Sequence, residues 1–301
     1  MSLLPFRERL RRAEVLVGDG AWGTMLMARG LAPGAPPESF VLERPDTIRE
    51  IARLYLEAGA DLLTTDTFGA TSLSLSAYGL ADRADEINRR AVTLAREMAE
   101  GRAYVSASVG PSGRLLAPLG ETAPEEVRAA FERQIRGLVE AGADLVCVET
   151  MTDLQEARLA VEAARAVSVE VPVMATMTFD RTPRGFFTIM GVPVAQAART
   201  LEAAGADVLG SNCGQGIDAM VEVARAFREV TSLPLIIQAN AGQPEIRHGA
   251  LVYPETPEFM AARVGSLLEA GVSIIGGCCG TTPDHVRAIR AAATAYHHQR
   301  V

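Results

Sequence analysis

The chain has 301 residues, of which 48% are hydrophobic, and carries a net charge of −8. That length and apolar content suit one large α/β barrel, while the excess of acid argues against nucleic acid or an anionic membrane as a partner. All 29 basic residues are arginine, which excludes Schiff-base chemistry, lysine-anchored pyridoxal phosphate and the phosphate-binding P-loop. No stretch reaches the length of a membrane span, and Met1 to Arg12 lacks the apolar core of a signal peptide. With 4 cysteines and no export signal, free thiols or metal ligands in a reducing, cytoplasmic compartment are expected rather than disulfides.

Taken in chain order, short apolar runs predict strands near 15–19, 61–66, 103–109, 144–149, 172–178, 207–212, 234–239 and 273–277. Segments of 3.6-residue periodicity separate them, as in Glu125 to Glu140, Leu154 to Val167 and Pro257 to Ala270. Pro283-Asp284 opens a last helix, with Thr281 and Thr282 offering capping hydroxyls. The proline-rich stretch from Gly30 to Pro45 is a candidate lid. One phrase recurs before alternate strands: Ala58-Gly59-Ala60-Asp61, Ala141-Gly142-Ala143-Asp144, Ala204-Gly205-Ala206-Asp207 and, altered, Ala270-Gly271-Val272-Ser273. Each ends a helix on a glycine, which adopts the left-handed conformation without steric penalty, and then enters a buried strand. Eight alternating units with no linker predict one domain over residues 1–301, an α/β fold of the (β/α)8 TIM-barrel type.

Such barrels carry their active sites at the C-terminal ends of the strands. The chemistry-bearing residues fall there: Asp19 and Gly20, Thr67, Ser108, Glu149, Cys213, Asn240, and the pair Cys278-Cys279. Cysteine often only packs, and Cys147, in mid-strand, is expected to do so. Cys213, Cys278 and Cys279 at neighbouring strand ends instead fit the three protein ligands of a zinc ion with one position open. A Cys213–Cys278 disulfide is the competing arrangement. Glu149 closes an apolar strand, so its charge needs a partner, either a substrate ammonium or an arginine. Gly18 to Gly23 matches G-x-G-x-x-G, but the proline-rich stretch that follows and the distant second strand do not fit a dinucleotide fold, which leaves Asp19 as a pocket residue. The hydroxyl-rich run Thr64 to Ser76 suits either anion binding or helix capping. His297 and His298 read as a solvated tail, and His248 and His285 lack ligand spacing.

These residues also carry a resemblance. Gly18-Asp19-Gly20-Ala21-Trp22-Gly23-Thr24-Met25, Thr65-Asp66-Thr67-Phe68-Gly69-Ala70, Glu149-Thr150, Asn212-Cys213, Asn240-Ala241-Gly242 and Gly276-Gly277-Cys278-Cys279-Gly280 resemble the homocysteine S-methyltransferase family over nearly the whole chain. They look most like the homocysteine-binding module of cobalamin-dependent methionine synthase. The resemblance implies zinc on Cys213, Cys278 and Cys279, homocysteine sulfur as the fourth ligand, and methionine as product. It gives Glu149 the substrate ammonium, and Asn240 matches an asparagine that approaches the metal when substrate is absent. The other strand-end residues, Asp19, Gly20, Thr67 and Ser108, are expected to line the substrate pocket. Thr150 and the end of the chain at Val301 depart from the betaine-using branch. Asp66 stands where the family usually has asparagine; ionised, it would only accept hydrogen bonds. The expected methyl donor is methylcobalamin on a separate protein or module. The alternatives are S-methylmethionine as donor, and a non-catalytic barrel that binds zinc and thiols.

Overall fold

The computed structural model describes residues 3–12, 14–247 and 250–298. Eight parallel strands form the barrel: β1 Leu16–Val17, β2 Leu62–Thr64, β3 Tyr104–Val109, β4 Leu145–Met151, β5 Val173–Met177, β6 Val208–Asn212, β7 Leu235–Ala239 and β8 Val272–Gly277. Their hydrogen-bonded order runs β1-β8-β7-β6-β5-β4-β3-β2, and a bridge from Gly18 to Leu62 brings the two ends together. Every predicted strand is present, displaced by a residue or two. Nearly all strand residues are buried, as expected where one face meets helices and the other fills a barrel.

The barrel interior has two levels. Its lower part is apolar: Leu16, Leu62, Tyr104, Leu145, Cys147, Met174, Val208, Ile236 and Ile274 form one cluster, closed from below by Phe6 of the helix Phe6–Arg11. Cys147 is a core residue here, as expected, and burial pushes its thiol well above its ordinary pKa. The upper part is polar, and it opens at the C-terminal ends of the strands. The helices pack around the outside through a second, larger core.

The predicted helix at Pro257 to Ala270 is two pieces, Pro257–Ala261 and Val264–Glu269, with Arg263 between them bonded to Asp218 at 3.0 Å. The last helix, Pro283–His298, begins where predicted, but its start is secured differently. His285 Nδ1 accepts from Thr282 N–H at 3.1 Å, and Thr281 Oγ is used elsewhere. His297 and His298 form its final turn rather than a loose tail, and Val15 N–H donates to His297 Nε2 at 3.3 Å. His248 lies outside the described residues.

The recurring glycine phrase builds a closed ring. Gly59, Gly142, Gly205 and Gly271 have φ of 97°, 99°, 104° and 82°, a conformation that carries no Cβ penalty only in glycine. Each exposes a carbonyl, and each carbonyl receives an arginine from the barrel helix before the one that the glycine ends. Arg96 reaches Gly142, Arg165 reaches Gly205 at 2.8 Å, Arg228 reaches Gly271 at 3.1 Å, and Arg290 of the last helix reaches Gly59 at 2.8 Å. The aspartate of each phrase also ties the preceding strand. Asp61, Asp144 and Asp207 accept from Val17, Val105 and Val173 N–H at 2.7–2.8 Å and pair with Arg290, Arg96 and Arg165. At the fourth position Ser273 has no carboxylate to offer, and there the β8–β7 register slips.

Candidate active site

The upper end of the barrel holds a cavity of about 250 Å³. Cys213, Cys278 and Cys279 form one side of it. Their sulfurs lie within 4.8 Å of one another, with Cys213 and Cys279 Sγ 3.9 Å apart. Zinc–sulfur bonds of about 2.3 Å in tetrahedral geometry put sulfurs about 3.8 Å apart, so this trio needs little movement to take the ion. All 4 cysteines are free, which sets aside the Cys213–Cys278 disulfide.

The backbone explains how the three sulfurs meet. β6 stops at Asn212, and Cys213 takes a left-handed φ of 61°, followed by Gly214 at 72°. A residue other than glycine in that region stores strain, of order 1–2 kcal/mol. Cys213 N–H donates to Gln238 O at 3.1 Å and Cys278 N–H to Ala239 O at 2.8 Å, so β7 positions both cysteine segments. Thr281 Oγ donates to Cys278 O at 2.7 Å and accepts from Ala21 N–H at 3.1 Å, which ties the double-cysteine turn to the end of β1. Gly20 is needed at that junction because a Cβ there would lie 2.8 Å from Thr281 Oγ.

The thiols share their charge unevenly. Hydrogen bonds from the Cys278 and Cys279 thiols draw Cys213 down to about 3, while Cys278 is raised well above its usual value and Cys279 goes to about 11. Asn240 adds to the stabilisation of the Cys213 thiolate, and its Oδ1 is buried without a partner. An unpartnered oxygen on a side chain that bonds Cys213 suits an additional metal contact. Tyr253 stands against Cys279, its phenol raised to about 12 mainly by burial.

Carboxyl groups share the cavity with the sulfurs. Ser108 Oγ donates to Glu149 Oε1, and Asn212 Nδ2 approaches Oε2 at 3.4 Å. These partners are neutral, so the arginine pairing considered for Glu149 is not what holds it. Burial raises Glu149 to about 7. Asp19 accepts from Trp22 Nε1 at 3.0 Å and from Thr64 N–H and Oγ, both at 2.7 Å. Burial still raises it to about 6. No arginine lines the cavity among the described residues.

Asp19, Gly20, Ser108 and Glu149 therefore meet in one cavity with the three cysteines. Thr67 does not line it. Its hydroxyl is bonded to Thr65 Oγ and Ser108 O, each at 2.7 Å, and Thr65 and Asp66 form the wall instead. Asn240 sits beside Cys213 rather than along the cavity. The candidate lid is packed rather than free: Phe40 and Val41 of the short helix Ser39–Glu43 are buried, and Pro37 lines the cavity.

Sequence reasoning missed Trp22, Thr64 and Asn212 as parts of the site. Asn212 joins two strand ends, accepting from Thr150 N–H and donating to Thr150 Oγ, both at 2.7 Å. Thr150 also has a positive φ of 58°. The signal available was its place beside Cys213 in a strand-end dipeptide.

The homocysteine S-methyltransferase family matches residues 16–293. The chain belongs to that family. It is 36% identical over 295 residues to the methionine synthase of Mycobacterium leprae, and 35% identical to that of Mycobacterium tuberculosis, covering 92% of this chain. It spans only 24% of those curated relatives. Among solved structures it superposes on the metallated form of the homocysteine methyltransferase MmuM of Escherichia coli with a TM-score of 0.80 and 27% identity, over 96% of this chain and 99% of that one. No helix among the described residues is long and apolar enough to cross a membrane.

Proposed function

We propose that this barrel methylates homocysteine to methionine, with zinc held by Cys213, Cys278 and Cys279. The observation that carries the reading is the polarity of one cavity. Three sulfurs and two buried carboxyls with raised pKa values line it together, with no basic side chain among the described residues. An amino acid ending in a thiol, with an ammonium for the carboxyls, matches that set of groups. The bound metal would lower the pKa of the substrate thiol and hold it as the thiolate, the nucleophilic form.

The side chains supply the rest. Glu149 pairs with the substrate ammonium and gives up its proton to do so. Ser108 and Asn212 hold the Glu149 carboxyl in place. Asp19, fixed by Trp22 and Thr64, adds negative potential at the same end. In the transfer, the homocysteine sulfur forms a bond to the methyl carbon as the bond from that carbon to its carrier breaks.

Methylcobalamin on a partner protein or further module is the favoured donor. Two observations support it. The relatives with 35–36% identity are methionine synthases about four times the length of the matched segment. The segments that follow β3, β5 and β7, at the end of the barrel where the cavity opens, also expose Leu115, Leu119, Ile189, Met190, Ile246 and Leu251. Such an apolar rim suits a macromolecular carrier, since a corrinoid is far larger than a cavity of about 250 Å³. The second reading is S-methylmethionine as donor, favoured by the small, acid-lined cavity, which suits a cationic sulfonium. Methionine formation by the zinc-loaded protein separates them. Turnover faster with S-methylmethionine than with methylcobalamin overturns the first choice, and none with either donor favours a binding protein.

A further inference from the structure

An amino-acid substrate has a carboxylate as well as an ammonium, and the cavity offers that carboxylate no arginine. Neutral donors must serve, and most are committed. Trp22 Nε1 and Thr64 Oγ donate to Asp19, Ser108 Oγ donates to Glu149, and the Thr65 and Thr67 hydroxyls are bonded to each other. Asp66 at the end of β2 is different. It is 4% exposed, it lines the cavity, and its Oδ2 is buried without a partner.

We propose that Asp66 positions the α-carboxylate of the substrate by donating a hydrogen bond to it from its carboxyl group. The proposal rests on the reading of the cavity as a homocysteine site. The placement fits the length of the substrate. Cys213 follows β6 and the cysteine pair follows β8, whereas Asp66 follows β2, across the barrel from β6 and two strands from β8, between Asp19 and Ser108. A molecule with its sulfur at the cysteines and its ammonium at Glu149 directs its carboxylate toward that wall.

Donation requires a protonated carboxyl, and the surroundings provide for it. Glu38, 2% exposed, comes from the segment before the helix Ser39–Glu43 and accepts from Gly69 N–H. Burial, and after it the neighbouring Glu38, whose own carboxyl is raised by burial, hold Asp66 well above the usual carboxylate range. The other acids that line the same cavity are Asp19 on β1 and Glu149 on β4. A neutral carboxylic acid has one donor and one acceptor, as an asparagine amide has. A protonated Asp66 therefore supplies a donor where the family usually has asparagine; the acceptor-only reading applies to the ionised group.

The test is calorimetry on the zinc-loaded protein with two ligands, homocysteine and 3-aminopropane-1-thiol, which is homocysteine without its carboxylate. Asp66→Ala should weaken homocysteine by about tenfold or more, as losing a hydrogen bond to a charged group does. It should leave the aminothiol unchanged, and Asp66→Asn should bind both as the wild type does. Equal effects of Asp66→Ala on both ligands, or Asp66→Asn as harmful as alanine, overturn the proposal. If the alanine variant does not fold, pH provides the measurement. Raising pH should erode the wild-type preference for homocysteine over the aminothiol, but not that of Asp66→Asn, and parallel profiles reject the assignment. Failure of the wild type to bind either ligand would instead reject the homocysteine reading itself.

Discussion

At the level of single residues, the most informative number is the value of about 7 for Glu149. A carboxyl at that value is half charged near neutrality, and only its charged form attracts an ammonium. Homocysteine affinity should therefore rise as pH increases through 7 in the wild type. Glu149→Gln should remove that part of the slope and weaken binding by roughly 1.5–3 kcal/mol while zinc stays bound. Calorimetry across pH 6–8 measures both, and an unchanged affinity would make Glu149 a structural carboxylate. The cysteines give a second expectation. Reduced protein should carry about one zinc per chain, and Cys278→Ala should lose most of it, because three sulfurs are the fewest that hold an open zinc site firmly. Metal analysis after reconstitution decides this; full zinc content in the variant would place the ion elsewhere. The buried acids also set a pH trend for the metal-free protein. Asp19 and Glu149 are raised from 3.8 and 4.5 to about 6 and about 7. The folded state thus binds more protons than the unfolded one between those values. The stability these groups contribute is complete below about pH 4 and lost as pH rises through 7. Thermal melts of the metal-free protein should accordingly be highest on the acid side of neutrality, down to the point at which surface ion pairs fail.

At the level of elements, the strands and most helices were legible because each has a strong local cause. Val105 to Val109 is apolar or small throughout and is buried throughout, and Leu154 to Val167 has a clean helical period with Asp153 as its cap. The break in Pro257 to Ala270 was not legible, because it depends on Arg263 meeting Asp218 from another helix. Of the site, the cysteines and Glu149 were readable, since thiols and a carboxylate at the ends of apolar runs contradict their surroundings. Asp66 was legible as a departure but not as a neutral donor, because that depends on its burial and then on Glu38, far away in sequence. Asn212 was legible only through its place beside Cys213, since its part comes from bonds across strands, and Trp22 was missed although the residue it bonds, Asp19, is three positions away. The same scale offers a stability test. Arg228 has no acidic partner where Arg96, Arg165 and Arg290 each have one, its Nε is buried without a partner, and burial lowers its pKa. Ser273→Asp should complete the pattern and add about 0.5–1 kcal/mol, as a partly exposed ion pair with a backbone bond would. That is a rise in melting temperature of about 2 °C. A lower melting temperature would show that the register slip, and not the missing carboxylate, governs this corner.

At the level of the whole molecule, the arginine ring joins quarter to quarter in a circle, since the last helix clamps Gly59 as each earlier helix clamps the glycine ahead of it. Arg290→Ala should therefore act on β1 and β2 and not only on the C-terminal helix. Hydrogen exchange should show Val17 and Asp61 amides opening first, and exchange confined to residues near 290 would argue against a shared ring. The circle has another consequence. Val15 and His297 are hydrogen-bonded at 3.3 Å, so the ends of the barrel already touch, and each quarter finds its neighbour through the same handshake wherever the polypeptide begins. A chain with its ends joined by a short glycine linker and reopened at the exposed Ile189-Met190 turn should still fold and bind zinc. In such a molecule sequence order is a convention of synthesis, and the cyclic order of the quarters is what the fold remembers.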